Sequence, residues 1–188
     1  MSGLLVVLSG PSGAGKTTLC AELVRRNGWR RVVTATTRPP RPLERDGVDY
    51  RFLSEAAFEE TARAEGFLEH ARVFSWRYGT PRADVARGIS CGEVLLLAID
   101  VQGAAQVRLA MPHALFVFLL PPARATLEER LRGRGTEDPS ALAARLRVAA
   151  SELARQGEYD HRVVNDDLGR AAAAAEGIIR DVLRNRGP

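Results

Sequence analysis

The sequence has few cysteines and no long hydrophobic run. Its two cysteines, Cys20 and Cys91, form neither a disulfide framework nor a metal-binding spacing, so we expect reduced structural thiols. The longest apolar run near the start, residues 4–8, is too short for a membrane span and lacks the basic flank of a signal peptide. These absences predict a cytoplasmic protein with no membrane partner.

Lysine is nearly absent as well. Lys16 is the only lysine among the 27 basic residues, and the remainder are arginines. The net charge is +4, and the 23 acidic residues are interspersed with the basic ones, so no long block of one sign appears. No helix-turn-helix, zinc or aromatic-stacking signature accompanies the arginines. We therefore expect no nucleic-acid partner, and anionic small ligands explain the charge equally well.

The pattern of apolar runs predicts an α/β fold. With 188 residues, of which 45% are hydrophobic, the chain can form one compact domain over residues 1–188. Helical patterns separate most of the strand-like runs, which indicates a parallel sheet with helices on both faces. The predicted strands are residues 4–9, 31–34, 94–99, 115–120 and 162–164.

Two segments depart from this pattern. Residues 36–78 contain Pro39, Pro40 and Pro42, many charges and short aromatic segments, and we interpret about 34–80 as an inserted substrate-binding lobe. Residues 123–154 are helical in pattern with a break at Gly133 and Gly135, which is typical of a hinged lid. The core would then comprise about 1–33, 81–122 and 155–188.

A phosphate-binding loop follows the first predicted strand and opens the first predicted helix, residues 16–26. The sequence GPSGAGKT satisfies G-x-x-x-x-G-K-[ST], and a turn of this composition that binds nothing is improbable in such a context. Lys16 would reach the β and γ phosphates of a bound nucleotide, and the Thr17 hydroxyl would bind Mg²⁺. The residues predicted here to bind the nucleotide phosphates are Gly10, Pro11, Ser12, Gly13, Ala14, Gly15, Lys16, Thr17 and Thr18.

Further motifs occur in a fixed order along the chain. They are TTRPPRP at 36–42 with Glu44, Asp46, Gly47, Asp49 and Tyr50, then FLEHA at 67–71, YGT at 78–80, IDVQG at 99–103, RL at 130–131 with RGTE at 134–137, and NDD at 165–167. Together with the phosphate loop, they resemble the guanylate kinase family over about residues 8 to 168. The resemblance implies a P-loop NTPase-like fold and transfer of the γ-phosphoryl group of ATP to GMP, in purine nucleotide metabolism. Its cofactor would be Mg²⁺, and dGMP is an expected second acceptor.

The acceptor side can be read from its chemistry. Arg38 and Arg41 can place two guanidinium groups around one phosphate, and the hydroxyls of Tyr50 and Tyr78 can donate to its other oxygens. Glu69 can accept from the two adjacent donors of guanine, whereas adenine would leave a buried acceptor unpaired. The resemblance adds Thr34, Gly79 and Thr80 to the GMP site. It also gives Asp100 a ligand or metal-water role, although Asp100 could instead cap the next helix.

The lid arginines and Asn165 complete the predicted site. The acceptor phosphate is already ionised, so catalysis reduces to alignment and charge neutralisation. Lys16 and Arg38 would contribute to this, and the resemblance implies that Arg130, Arg134 and Arg145 close over the triphosphate. It places Asn165 near the adenine. Two departures from the family pattern, Ser75-Trp76-Arg77 and Ala98, bear on GMP and metal binding.

Three other function classes fit parts of the pattern. A kinase acting on a different small substrate would not need Glu69 with Thr34 and Thr80. A GTPase would need an asparagine-lysine-x-aspartate base reader, which a chain with Lys16 as its only lysine lacks. A non-catalytic binding module would typically have a damaged phosphate loop, and this loop is intact. We expect a monomer or a small homo-oligomer.

Overall fold

The computed structural model describes residues 3–73, 75–132 and 139–186. Within these ranges, its core is a five-stranded sheet in which all paired neighbours are parallel. The strands, in sheet order, are β2 (Arg30–Arg31), β7 (Val94–Ala98), β1 (Leu4–Ser9), β8 (Leu115–Leu120) and β9 (His161–Val164). This arrangement confirms the predicted parallel α/β core.

Helices cover both faces of this sheet because its strands are apolar on both sides. Alternate residues of β1 belong to different clusters of buried side chains, so Val6 and Val7 lie on opposite faces. One cluster includes α1 (Lys16–Asn27) and α7 (Leu168–Asn185). The other includes α3 (Arg82–Ser90) and α4 (Val101–Ala110). The central strands are therefore buried on both faces, as parallel strands usually are.

A second sheet lies between β2 and α3 in the chain. In the described residues it has four strands, in the order β4 (Arg51–Phe52), β3 (Ala35–Thr36), β6 (Trp76–Pro81) and β5 (Phe67–Val73). β3 runs antiparallel to β6, as β5 also does. Helix α2 (Glu55–Arg63) packs Phe58 against Phe67 with ring centroids 4.5 Å apart. This small apolar cluster is separate from the two that flank the core sheet.

The strand predicted at residues 31–34 is wrong in its extent. The core sheet includes only Arg30 and Arg31 as β2, and Val32 adds one hydrogen bond from its N–H to the Leu96 oxygen. Two residues later the Thr34 oxygen accepts from the Arg51 N–H, which belongs to the second sheet. One extended run therefore crosses from one sheet to the other, a change of partner that its local sequence does not encode.

Two helices follow β8. They are α5 (Arg124–Arg132) and α6 (Pro139–Ala154), which pack together through Leu127 and Ala149. A short 3₁₀ turn, Arg155–Glu158, then leads into β9. The predicted break at Gly133 and Gly135 lies outside the described residues. No helix among the residues described is both long and apolar enough to cross a membrane.

Candidate active site

The phosphate-loop sequence forms a tight turn between β1 and α1. Gly10 has a φ of 140° and Gly15 a φ of 93°, values that L side chains rarely adopt. A Cβ atom at Gly10 would lie 2.4 Å from the backbone oxygen of Leu119, and one at Gly15 would lie 2.3 Å from Nδ2 of Asn165. Glycine is thus favoured at both positions by conformation, and at Gly10 the Leu119 backbone leaves no space for a side chain as well.

The loop and the start of α1 form the site predicted to bind phosphates. Lys16 Nζ donates to the backbone oxygens of Gly10 at 2.6 Å and Pro11 at 3.0 Å, so the ammonium group lies over the loop. Thr17 and Thr18 are exposed in the first turn of α1. The N-terminus of a helix offers N–H donors and the positive end of its dipole to an anion. The geometry therefore suits the phosphates of a nucleotide.

Two predicted residues from distant parts of the chain contact this loop. Asn165 Nδ2 donates to the Ala14 oxygen at 2.8 Å. Arg130 on α5 donates to the Gly13 oxygen at 3.4 Å and to the Asn165 oxygen at 3.2 Å. They line a cavity of about 350 Å³ together with Gly13, Gly15, Thr18, Asp166 and Leu168. Arg145 is half-buried on α6, whereas Arg134 lies outside the described residues.

Sequence reasoning missed a carboxylate at the same loop. Glu152 on α6 accepts from the Ser12 N–H at 3.4 Å. Burial raises the pKa of Glu152, while the Lys16 charge and this hydrogen bond act in the opposite direction. Glu152 follows Arg145 by seven residues, hence by two helical turns on the same side of α6. That spacing was the available signal, but no motif marked it as functional.

The predicted acceptor-phosphate residues meet in the second sheet. Arg38 is buried, and its Nη2 donates to both carboxylate oxygens of Glu44 at 2.8 and 2.9 Å. Its guanidinium carbon lies 5.4 Å from the centre of the Tyr50 ring, which itself is 6.1 Å from the Tyr78 ring. Arg41 is exposed, and its backbone N–H donates to Glu44 at 2.8 Å. The structure thus brings Arg38, Tyr50 and Tyr78 together and leaves the Arg41 side chain exposed.

Glu69, the residue predicted to recognise guanine, is buried beside a threonine. Glu69 is 4% exposed, and the Thr80 hydroxyl donates to its Oε1 at 2.5 Å. Burial raises the pKa of Glu69 to about 7. The nearby negative charge of Asp100 also raises this pKa, whereas the hydrogen bond from Thr80 lowers it. Thr34 and Gly79 are buried in the same sheet region. A carboxylate with one oxygen held by a hydroxyl can still accept two donors from a ligand.

Asp100 caps a helix in the structure. Its Oδ1 accepts from the N–H groups of Gln102 at 2.7 Å and Gly103 at 2.9 Å at the start of α4. This is the capping alternative that the sequence left open, and it satisfies two of the four N–H groups at the helix start. A carboxylate has two oxygens, so this cap does not exclude a ligand role for Asp100.

Comparisons with known proteins agree with this geometry. A family model described as guanylate kinase matches residues 2–182. The chain is 49% identical to the guanylate kinase of Gloeobacter violaceus over 176 residues, covering 93% of this chain and 86% of that protein. It is 44% identical to the guanylate kinase of Nitrosococcus oceani over 189 residues, covering 99% of this chain and 93% of that protein. The crystal structure of guanylate kinase from Anaplasma phagocytophilum superposes with a TM-score of 0.80 at 32% identity, covering 96% of this chain and 86% of that one. The chain belongs to the guanylate kinase family.

Proposed function

We propose that this protein transfers the γ-phosphoryl group of ATP to GMP, giving ADP and GDP. The observation that carries the proposal is the buried pair of Glu69 and Thr80, which presents a carboxylate suited to the two adjacent donors of guanine. It lies in the same chain as an intact phosphate loop. Membership of the guanylate kinase family supports the same reaction.

The donor side binds and orients the triphosphate. The loop from Gly10 to Lys16 offers backbone N–H groups, and Lys16 adds the charge that the β and γ phosphates require. Arg130, which contacts the loop at Gly13, would neutralise charge on the transferring group. Arg134 and Arg145 remain proposed partners in that task, and Asn165 would lie near the adenine.

The residues at the loop fit a Mg²⁺ ion bound with ATP. Among the described residues, no group of three or more His, Cys, Asp or Glu side chains could form a protein cage for a metal. Mg²⁺ instead suits a single hard oxygen ligand combined with substrate phosphates and water, and the exposed Thr17 hydroxyl provides one. When bound, the ion would offset negative charge on the β and γ phosphates.

The acceptor side holds GMP in line with the donor. Arg38 would exchange its contact with Glu44 for the GMP phosphate, with Arg41, Tyr50 and Tyr78 completing the phosphate contacts. Because the acceptor oxygen is already ionised, no general base is required. The same residues therefore align the two polyanions and screen their repulsion.

The division of labour also defines proposed units of the chain. We assign the core to about 1–33, 81–122 and 155–188, the GMP-binding lobe to about 34–80 and the lid to about 123–154. Thr34, Gly79 and Asp100 would belong to the GMP site. We expect a cytoplasmic monomer or small homo-oligomer that also accepts dGMP and has no membrane or nucleic-acid partner.

A coupled assay of ADP release tests the proposal. The protein is supplied with ATP and Mg²⁺ against GMP, AMP, CMP and UMP, and Lys16→Ala and Glu69→Ala serve as comparisons. We expect selective turnover of GMP that is lost in Lys16→Ala and weakened in Glu69→Ala. Bound ATP without turnover of GMP would contradict the proposal and favour another acceptor or a binding module.

A further inference from the structure

The side chain of Gln106 hydrogen-bonds to the backbone of β5. Gln106 Nε2 donates to the His70 oxygen at 2.8 Å, and the His70 N–H donates to Gln106 Oε1 at 3.2 Å. In the described part of the second sheet, β5 is an edge strand, whose outer backbone groups would otherwise face water. One amide side chain thus pairs with both backbone groups of a single residue, and that residue follows Glu69.

The same face of α4 contacts the Glu69 side chain. Gly103 precedes Gln106 by three residues and therefore lies beside it on the helix surface. A Cβ atom at Gly103 would lie 2.5 Å from Glu69 Oε2, so this oxygen lies against the helix backbone. Thr80 contacts the other oxygen. The carboxylate thus accepts a hydrogen bond from Thr80 through one oxygen and lies beside the backbone of α4 with the other.

Helix α4 is itself fixed to the core sheet. Val101, Ala104 and Val107 are buried in one of the two clusters that flank the sheet, and Asp100 caps the first turn. Moving the helix relative to the core would expose these apolar side chains to water, which is unfavourable. Gln106 thus extends from a fixed element to a strand at the sheet edge.

We propose that Gln106 is a positioning residue for guanine recognition. It holds β5 at His70 so that the Glu69 carboxylate faces the base, and it does not contact the base itself. Hydrogen bonds to guanine need donor–acceptor distances of about 2.7–3.2 Å and near-linear geometry. A shift of the strand by about 1 Å would therefore weaken both hydrogen bonds between Glu69 and the base. This inference rests on the proposed function and names a further residue that specifies its substrate.

The test compares Gln106→Leu with Gln102→Leu, which removes an exposed amide from the same helix and leaves the backbone cap in place. Steady-state kinetics are measured with GMP and with AMP, alongside the KM for ATP and the melting temperature. In Gln106→Leu we expect the KM for GMP to rise about tenfold and the ratio of kcat/KM for GMP over AMP to fall by a similar factor. The KM for ATP should change by less than about twofold, and Gln102→Leu should match the wild type.

A second variant and a second measurement guard against a folding defect. Gln106→Asn keeps an amide but is too short to pair with both groups of His70, so its kinetics should change in the same direction. Hydrogen exchange of the ligand-free variants should accelerate at Glu69, His70 and Ala71 ahead of the rest of the sheet.

Three outcomes would overturn the inference. A lower melting temperature with an unchanged ratio of kcat/KM for GMP over AMP would mean that Gln106 stabilises the fold without positioning Glu69. An unchanged KM for GMP in both variants would remove the positioning role while leaving the proposed function intact. Failure of the wild-type protein to bind or phosphorylate GMP would refute the proposed function, and the inference with it.

Discussion

Replacing Glu69 with glutamine is expected to stabilise the ligand-free protein, and to do so more near pH 8 than near pH 5. The Glu69 carboxyl is 4% exposed, and burial raises its pKa from 4.5 to about 7. The folded protein therefore binds this proton more tightly than the unfolded chain does. The contribution to the free energy of unfolding is fully present below pH 4.5 and is lost as the pH rises through 7. Glutamine cannot ionise, so it avoids that loss.

The magnitude follows from the size of the pKa shift. One pKa unit corresponds to about 1.4 kcal/mol, so the penalty that develops between pH 5 and pH 8 is about 2–3 kcal/mol. For a chain of this length, about 2–4 °C of melting temperature corresponds to each kcal/mol. The gain of Glu69→Gln over the wild type should therefore be roughly 5–10 °C larger near pH 8 than near pH 5.

Thermal melts or urea unfolding of both proteins at the two pH values measure this difference. Comparing the two pH values cancels the pH-independent cost of placing an amide beside Thr80. The matched control is Glu60→Gln, which alters an exposed glutamate on α2 and should show no comparable pH dependence. An equal gain at both pH values would refute the reasoning from burial.

In the same variant, GMP affinity should fall about 10- to 150-fold near pH 8, because charge-assisted hydrogen bonds are lost.

Three further substitutions test the site. Gly10→Ala should destabilise the fold by about 2–4 kcal/mol. The control Gly28→Ala, at a positive φ with open space around it, should destabilise it by only about 1–2 kcal/mol. Equal losses of stability in thermal melts would contradict the steric argument. Arg38→Lys should raise the KM for GMP about tenfold or more without a similar rise for ATP, because lysine cannot form paired contacts; steady-state kinetics with each nucleotide varied decide this. Glu152→Gln should lower the KM for ATP about two- to fivefold at low salt, because it removes a negative charge beside Ser12 that repels the phosphates. A higher KM for ATP would instead show that this carboxylate assists binding.

Local sequence determined the parts of this protein that depend on neighbours in the chain. The predicted strand at residues 4–9 is β1, and the helix predicted to begin at Lys16 is α1, which continues to Asn27. The glycines of the phosphate loop were identifiable because a turn with positive φ admits few other residues. Alternation of apolar strands with helices was likewise enough to predict the parallel sheet with helices on both faces.

Tertiary structure alone decided which distant residues meet. No local pattern shows that the extended run after Arg31 leaves one sheet for another, because its change of hydrogen-bond partner depends on β7 and β4. Glu152 against Ser12 and Gln106 against His70 are separated by 140 and 36 residues, respectively. Each pair is brought together by helices packing on a sheet. Burial raises the Glu69 pKa for the same reason, because the environment that excludes water from a carboxylate is assembled only when the chain folds.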